Sequence, residues 1–163
     1  MKLILPHDIV TNLRRNLEKA KQREIGGQLF GEQLGPSEFR VMHASVQTTG
    51  GTLSTFRLTA LHSWFSTSQF FRRTRNSFER FNYIGEWHSH PSFELYPSST
   101  DDRTMTDLAV DSEFKGNFAV LAIVKLQSTS LAAQAWVYLR DGNRALIELL
   151  IEESNVGERS NAP

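Results

Sequence analysis

Two histidines and an aspartate lie within the short stretch 88–101, and their spacing limits the backbone that can carry them. His88 and His90 are two residues apart, so both imidazoles would leave the same face of an extended strand. Asp101 follows Ser98 in a Ser-Ser-Thr-Asp-Asp run, which is typical of a helix start. We therefore expect a strand that delivers the histidines, a loop, and a helix that carries the aspartate.

These three side chains form a plausible ligand set for one metal ion. Two imidazole nitrogens and one carboxylate oxygen suit zinc in a catalytic site, where the fourth position is left to water. The chain has no cysteine, which excludes disulfides, a thiolate-held structural zinc and a cysteine nucleophile. The pattern thus predicts one catalytic zinc held by His88, His90 and Asp101.

Length and charge narrow the class of protein. The chain has 163 residues, the size of a single domain with its own core. Its 18 basic and 18 acidic residues cancel, so bulk charge gives no reason to expect nucleic acid or an anionic membrane as a partner. The apolar run within residues 1–8 is too short for a signal peptide, and no window approaches a membrane span. We expect a cytoplasmic protein.

The apolar periodicity predicts one α+β domain over residues 1–153 and a polar tail at 154–163. Helices are expected at 8–21, with Asp8 as a possible cap, at 59–80, and at 98–110. Strands are expected where β-branched and aromatic residues cluster between turn signals: 24–31, 39–46, 83–88, 117–126, 131–139 and 144–152. Residues 145–151 could also form a helix. The turn Asp141-Gly142 predicts a hairpin between the last two strands, and residues 48–52 read as a mobile loop.

The long helical segment 59–80 combines aromatic and basic residues. We interpret its apolar side chains as a stripe that faces the core: Leu61, Trp64, Phe65, Phe71 and Phe78. An alternative is RNA binding, because four arginines lie beside them: Arg72, Arg73, Arg75 and Arg80. The neutral overall charge favours the core stripe.

Hydrolysis at such a site also needs a base, and Glu24 is the candidate. It begins a segment with three glycines (26, 27 and 31), where other backbone or a substrate could approach closely. A carboxylate there could take a proton from water and pass it to a leaving amine. Ser98 is placed to donate a hydrogen bond to the oxyanion of a tetrahedral intermediate.

Other assignments of the same residues stay open. Glu86 shares strand parity with the two histidines, so it could replace Asp101 as a ligand or Glu24 as the base. Asp101 and Ser98 could simply cap the helix, and Asp102 is an equally acidic neighbour. The histidines could be hydrogen-bonded core residues, and Glu24 could be an ordinary carboxylate at a strand end.

The combined pattern resembles a known family. The segment Glu24-x-Gly-Gly-x-Leu-x-Gly, followed by His88-x-His90-Pro and then Ser98-x-x-Asp101, resembles the JAMM motif of JAB/MPN-domain zinc metalloproteases. No motif position departs from that pattern, and the order of elements matches over nearly the whole domain. The resemblance implies an MPN fold, similar to that of cytidine deaminases, with a mixed, curved β-sheet flanked by helices.

The resemblance also implies roles for the motif residues. His88, His90 and Asp101 would bind one Zn2+ per chain, Glu24 would act as general acid and base, and Ser98 would support the oxyanion. The implied enzyme is a zinc-dependent isopeptidase or peptidase that cleaves after the C-terminal glycine of a ubiquitin-like modifier, for deconjugation or precursor maturation. Such a tail could add as an extended strand, with loops 48–54 and 91–97 lining the cleft.

The form of the motif narrows the resemblance further. Gly-Glu-Trp-His-Ser-His-Pro at 85–91 is similar to that of bacterial stand-alone members, some of which accompany E1- and E2-like proteins in CBASS-type and ubiquitin-like anti-phage defence systems. The expected partners are a ubiquitin-like protein or its conjugate and such operon proteins. Two alternatives stay open: a JAMM peptidase acting on a sulfur-carrier tail or small glycine-linked substrate, and a non-catalytic MPN binding module.

Overall fold

The structure is a computed structural model that describes residues 1–49 and 60–152. The predicted loop at 48–54 therefore lies mostly, and the polar tail at 154–163 entirely, outside the described residues. Three helices are found in the described ranges, α1 His7–Ala20, α2 Ala60–Arg73 and α3 Ser99–Val110. Seven strands accompany them: β1 Lys2–Leu5, β2 Gly26–Gly35, β3 Glu38–Ala44, β4 Phe81–Ser89, β5 Phe118–Gln127, β6 Ser130–Leu139 and β7 Arg144–Ile151.

The strands form one closed sheet in the order β1-β3-β2-β4-β5-β6-β7, with β7 returning to β1. The sheet is mixed: β1 is parallel to both of its neighbours, β4 is parallel to β5, and the remaining pairs are antiparallel. The predicted α+β class and mixed sheet are confirmed. The sequence does not predict the closure, because it depends on β1, whose run of three apolar residues after Lys2 is too short to be recognised as a strand.

The inside of the ring is apolar and holds one face of α1. Ile9, Val10, Leu13 and Leu17 recur at helical spacing and join the interior cluster. The predicted cap at Asp8 is wrong, since the helix already begins at His7 after Pro6, with no side-chain cap. None of the described helices is long and apolar enough to cross a lipid bilayer.

Two glycines allow the strands around the site to approach closely. A Cβ atom at Gly27 would lie 1.9 Å from the Ser45 carbonyl oxygen, so the backbone of another segment occupies that space. Gly85 has φ +148° in β4, and a Cβ there would lie 1.9 Å from the Val120 carbonyl oxygen on β5. The sequence predicts that other backbone or a substrate approaches the glycine-rich strand closely; at Gly27 the backbone of Ser45 does so.

Helices α2 and α3 cover the outer face of the sheet on either side of β4. Helix α3 packs on β5 and β6 through a second apolar cluster: Met105, Ala109, Ala119, Leu121, Ile123, Trp136 and Tyr138. Helix α2 lies over β2, where Phe70 stacks on Phe30 with 4.6 Å between ring centroids. The outer face of β4 therefore lies in a groove between the two helices.

The predicted aromatic stripe of the second helix is confirmed for Phe71, which packs edge-on against Phe30, but it is wrong for its other described members, and the helix is shorter than predicted. Trp64 is 67% exposed and Phe65 58% exposed, whereas Phe70 is only 5% exposed. The helix ends at Arg73, because Arg75 and Asn76 adopt positive φ angles, so the exposed Phe78 lies beyond it. The side chain of Leu61, also assigned to that stripe, lies outside the described part of the structure.

Candidate metal centre

His88 lies near the end of β4, and His90 directly follows the strand. Both imidazoles lie on the outer face of the sheet, beside the groove. Gly26 on β2 is the register partner of His88. One step further, the Ile25 amide donates to Ser89 Oγ at 3.0 Å, and the Ser89 amide donates to the Ile25 carbonyl at 2.8 Å. Continuing this antiparallel register places Glu24 next to His90.

The imidazoles and the carboxylate of Asp101 converge on one point. The His88 and His90 Nε2 atoms are 3.0 Å apart, and they lie 3.6 and 3.8 Å from Asp101 Oδ2. Zinc bonds of about 2.0–2.1 Å in a tetrahedron imply ligand separations of about 3.4 Å, which these distances bracket. Among the described residues, these three side chains form the group whose ligand atoms lie close enough together to hold a metal ion, all within 4.8 Å of one another.

The loop after β4 orients the second histidine. His90 Nδ1 lies 2.8 Å from the Glu94 carbonyl oxygen, so Nδ1 carries the proton and Nε2 is free to act as a ligand. His88 and His90 are almost fully buried, with residue exposures of 7% and 6%. A backbone carbonyl sets this orientation, and no residue type in the sequence signals it.

The first turn of α3 holds Asp101 through a capping box. The Ser98 amide donates to Asp101 Oδ2 at 2.7 Å, and the Asp101 amide donates to Ser98 Oγ at 3.2 Å. Burial acts to raise the pKa of the Asp101 carboxyl, but His88 and the hydrogen bonds of the cap outweigh it and hold the pKa at about 2. The carboxylate is therefore ionised at neutral pH, as a metal ligand requires.

Ser98 is thus a helix cap in the structure, in agreement with one of its two interpretations. Its hydroxyl oxygen accepts the Asp101 amide hydrogen, which leaves the hydroxyl hydrogen available to another acceptor. Capping and donation to an oxyanion are compatible uses of the same hydroxyl group.

The neighbouring Asp102 points away from the histidines. Tyr138 Oη donates to Asp102 Oδ1 at 2.6 Å, and the Arg144 guanidinium pairs with the same oxygen. Arg144 Nη2 also donates to Tyr96 Oη at 2.6 Å, in the loop between β4 and α3. This network, formed by residues from β6, β7 and the loop, anchors the start of α3, and its distant members could not be paired from the sequence.

Glu24 is 3% exposed and lies close enough to His88 and Asp101 for their charges to act on it. Burial raises the pKa of its carboxyl above the usual range; His88 opposes this rise, and Asp101 adds to it. The structure therefore places a buried carboxyl with an elevated pKa beside the ligand cluster, although Glu24 lies 64 residues before His88 in the chain.

Glu86 lies on the same face of β4 but outside the ligand cluster. Its carboxylate faces Tyr83, whose hydroxyl group is 3.5 Å from Oε1. Burial raises the pKa of Glu86, while His88 and the Tyr83 hydrogen bond oppose the rise. The geometry favours Asp101 over Glu86 as the third ligand.

Comparison with known proteins gives a family and a similar fold. Residues 6–138 match the family model described as prokaryotic homologs of the JAB domain. The chain is also similar to the solution structure of protein DSY2949 from Desulfitobacterium hafniense, with a TM-score of 0.67 at 15% identity, covering 98% of this chain and 99% of that one. At this identity the likeness concerns the fold alone. No curated protein matches the chain.

Proposed function

Because the chain belongs to the prokaryotic homologs of the JAB domain, we propose that it is a zinc-dependent isopeptidase or peptidase with an MPN fold. The observation that carries the proposal is the convergence of two imidazole nitrogens and an ionised carboxylate beside a buried glutamate. The two nitrogen donors and one oxygen donor, at separations near the edge of a zinc tetrahedron, favour zinc over a harder cation such as magnesium or calcium.

His88, His90 and Asp101 would hold the ion. Zinc bound there would polarise a carbonyl group and lower the pKa of water to about 7. The protein contributes the orientation of its ligands through the Glu94 carbonyl and the Ser98 cap, and it shields the site by burying both imidazoles.

Glu24 is the proposed general acid and base. Its carboxylate would remove a proton from the attacking water and return it to the nitrogen of the leaving amine. Burial suits this role, because a carboxyl group with an elevated pKa takes up a proton from water more readily and can hold it until it passes to the amine. The hydroxyl hydrogen of Ser98 would donate to the oxyanion that forms at the attacked carbonyl.

The proposed substrate is the glycine-ended tail of a ubiquitin-like protein, either free as a precursor or joined to a target. A tail without side chains beyond Cα can enter a narrow groove in an extended conformation. Glu86 lines the cavity between α2 and α3 and precedes His88 by two residues on β4, so a tail lying along β4 from this cavity would reach the histidines. We place the enzyme in the bacterial cytoplasm beside E1- and E2-like proteins, in conjugate removal or maturation during antiviral defence.

A cleavage assay with matched variants tests the proposal. Zinc-loaded protein is incubated with ubiquitin-like fusions that continue beyond a terminal glycine, and products are identified by mass spectrometry. Glu24→Gln should reduce the rate about 10^2- to 10^4-fold, the usual contribution of a general acid or base. His88→Ala and a chelator should abolish cleavage, whereas Glu148→Gln, at an exposed position on β7, should not change it.

Cleavage that survives Glu24→Gln or the chelator would overturn this mechanism. Absence of cleavage, together with partner capture that Glu24→Gln leaves intact, would instead indicate a non-catalytic binding module. Gene neighbourhood provides a separate check on the defence role, because the proposal requires conjugation proteins to be encoded nearby.

A further inference from the structure

Glu86 is a half-buried carboxylate that the proposed chemistry does not use. It precedes His88 by two residues on the same outer face of β4, and it is not part of the ligand cluster. The one hydrogen bond that the described residues give it comes from the Tyr83 hydroxyl at a long 3.5 Å. A carboxylate can accept about four hydrogen bonds, so most of its capacity is unused.

This carboxylate opens into a cavity of about 800 Å³. Thr67 and Phe71 of α2 form one wall, and Leu108 of α3 and Phe114 form the other. The polar side chains between the walls belong mainly to β2 and β4, and they include Gln28, Tyr83 and Glu86. A concave site that combines apolar walls with polar groups is typical of a place where a ligand side chain is held.

No cation of the described residues forms an ion pair with Glu86. Lys115, the other charged side chain that the described residues contribute to the lining, is exposed and directs its ammonium group to the Ser112 carbonyl at 3.3 Å. Gln28 is already engaged, because its Oε1 accepts the Ser66 hydroxyl of α2. A partly buried carboxylate without a counter-ion favours a cation that brings its own hydrogen-bond donors.

We propose that Glu86 and the cavity between α2 and α3 form a recognition subsite for a cationic side chain, arginine or lysine, of the substrate. This inference rests on the proposed peptidase function. Two residues along a strand span roughly 7 Å, so the recognised side chain belongs within about three residues of the bond that is cleaved. Phe71 and Phe114 would pack against the aliphatic part of that side chain while Glu86 binds its charged end.

Paired peptides test the subsite. Fluorogenic peptides ending in glycine carry either arginine or citrulline, its uncharged isostere, at one, two or three residues from the bond. Zinc-loaded protein should prefer arginine at one of these positions by about tenfold or more in kcat/KM, the usual scale for a hydrogen bond to a charged group. Glu86→Gln should lower this ratio to near one, and Glu148→Gln should keep it.

A binding measurement separates this inference from the function on which it rests. Fluorescence anisotropy with the metal-free protein should show the same preference for the arginine peptide, because Glu86 is not a metal ligand. If no peptide is cleaved but this preference is present and lost in Glu86→Gln, the subsite stands and the peptidase function fails. Cleavage without discrimination overturns the subsite alone. Equal binding and no cleavage overturn both.

Discussion

Helices α3 and α2 lie on the same face of the sheet, on opposite sides of β4, but they are held in different ways. The first turn of α3 is fixed by directional contacts: the Ser98 capping box and the pairing of Asp102 with Tyr138 and Arg144. Helix α2 is held by the packing of Phe70 and Phe71 on Phe30 and by neutral hydrogen bonds from its hydroxyl groups to the Gln28 side chain, without an ion pair to the sheet among the described residues. It also exposes two large aromatic side chains.

The difference corresponds to what each helix contributes to the site. A metal ligand must be positioned within a fraction of an ångström, and hydrogen bonds at fixed angles provide that precision. A groove wall needs only to be present at the correct distance, for which apolar packing is sufficient. We therefore expect substitutions on α3 to affect metal binding and substitutions on α2 to affect stability.

The strongest test of this comparison uses two adjacent aspartates. Asp101→Asn removes the charge of the proposed ligand and should weaken zinc binding by more than about 100-fold, beyond the usual effect of losing an outer hydrogen-bonding partner. Asp102→Asn keeps the shape of its side chain but loses the charge opposite Arg144, and should weaken zinc binding by only about tenfold. Competition with a chromophoric chelator measures both dissociation constants. Equal effects would contradict the assignment of Asp101 as the ligand.

The second test concerns α2 and compares two of its phenylalanines. Phe70→Ala deletes a buried ring that stacks on Phe30 and should lower the free energy of unfolding by about 3 kcal/mol. Phe65→Ala deletes an exposed ring of the same size and should change it by less than about 0.5 kcal/mol. Urea denaturation measures both values. A large loss in Phe65→Ala would show that this face of α2 is covered in solution.

Local and long-range contacts differ in how well the sequence could predict them. The motif around His88, His90 and Asp101 was recognisable because the spacing in a strand and the start of a helix are local properties of the chain. The structure brings these residues together, and it places Glu24 beside them through the pairing of Ile25 with Ser89. The strand and helix boundaries near the site were also predicted to within a few residues.

The errors arise where local pattern is ambiguous or where distant residues decide. Helix α2 has aromatic residues on two faces, and only its packing partner Phe30 shows that Phe70 and not Phe65 is buried. Closure of the sheet depends on β1, which pairs with β3 on one side and with β7, the last strand in the sheet order, on the other. The Glu94 carbonyl and the partners of Asp102 likewise follow from tertiary contacts alone.

The smallest expected effect concerns Arg144, which joins both parts of the α3 anchor. Its guanidinium contacts Asp102 on the helix and Tyr96 in the preceding loop, so it fixes the relative position of the two segments that carry Asp101 and the Glu94 carbonyl. Arg144→Gln should weaken zinc binding by up to about tenfold, and Arg144→Lys should not restore it, because an ammonium group cannot form the same two-sided contact.

The control for this prediction is Arg103→Gln, an exposed position one residue beyond Asp102 on α3, which should leave zinc affinity unchanged. The double substitution of Arg144 and Asp102 should weaken binding no more than the stronger single one, since each breaks the same contact. Additive losses would mean that Arg144 acts on the metal site by another route. The contacts of Asp102 with Tyr138 and Arg144 would then not be sufficient to explain how Asp101 is positioned.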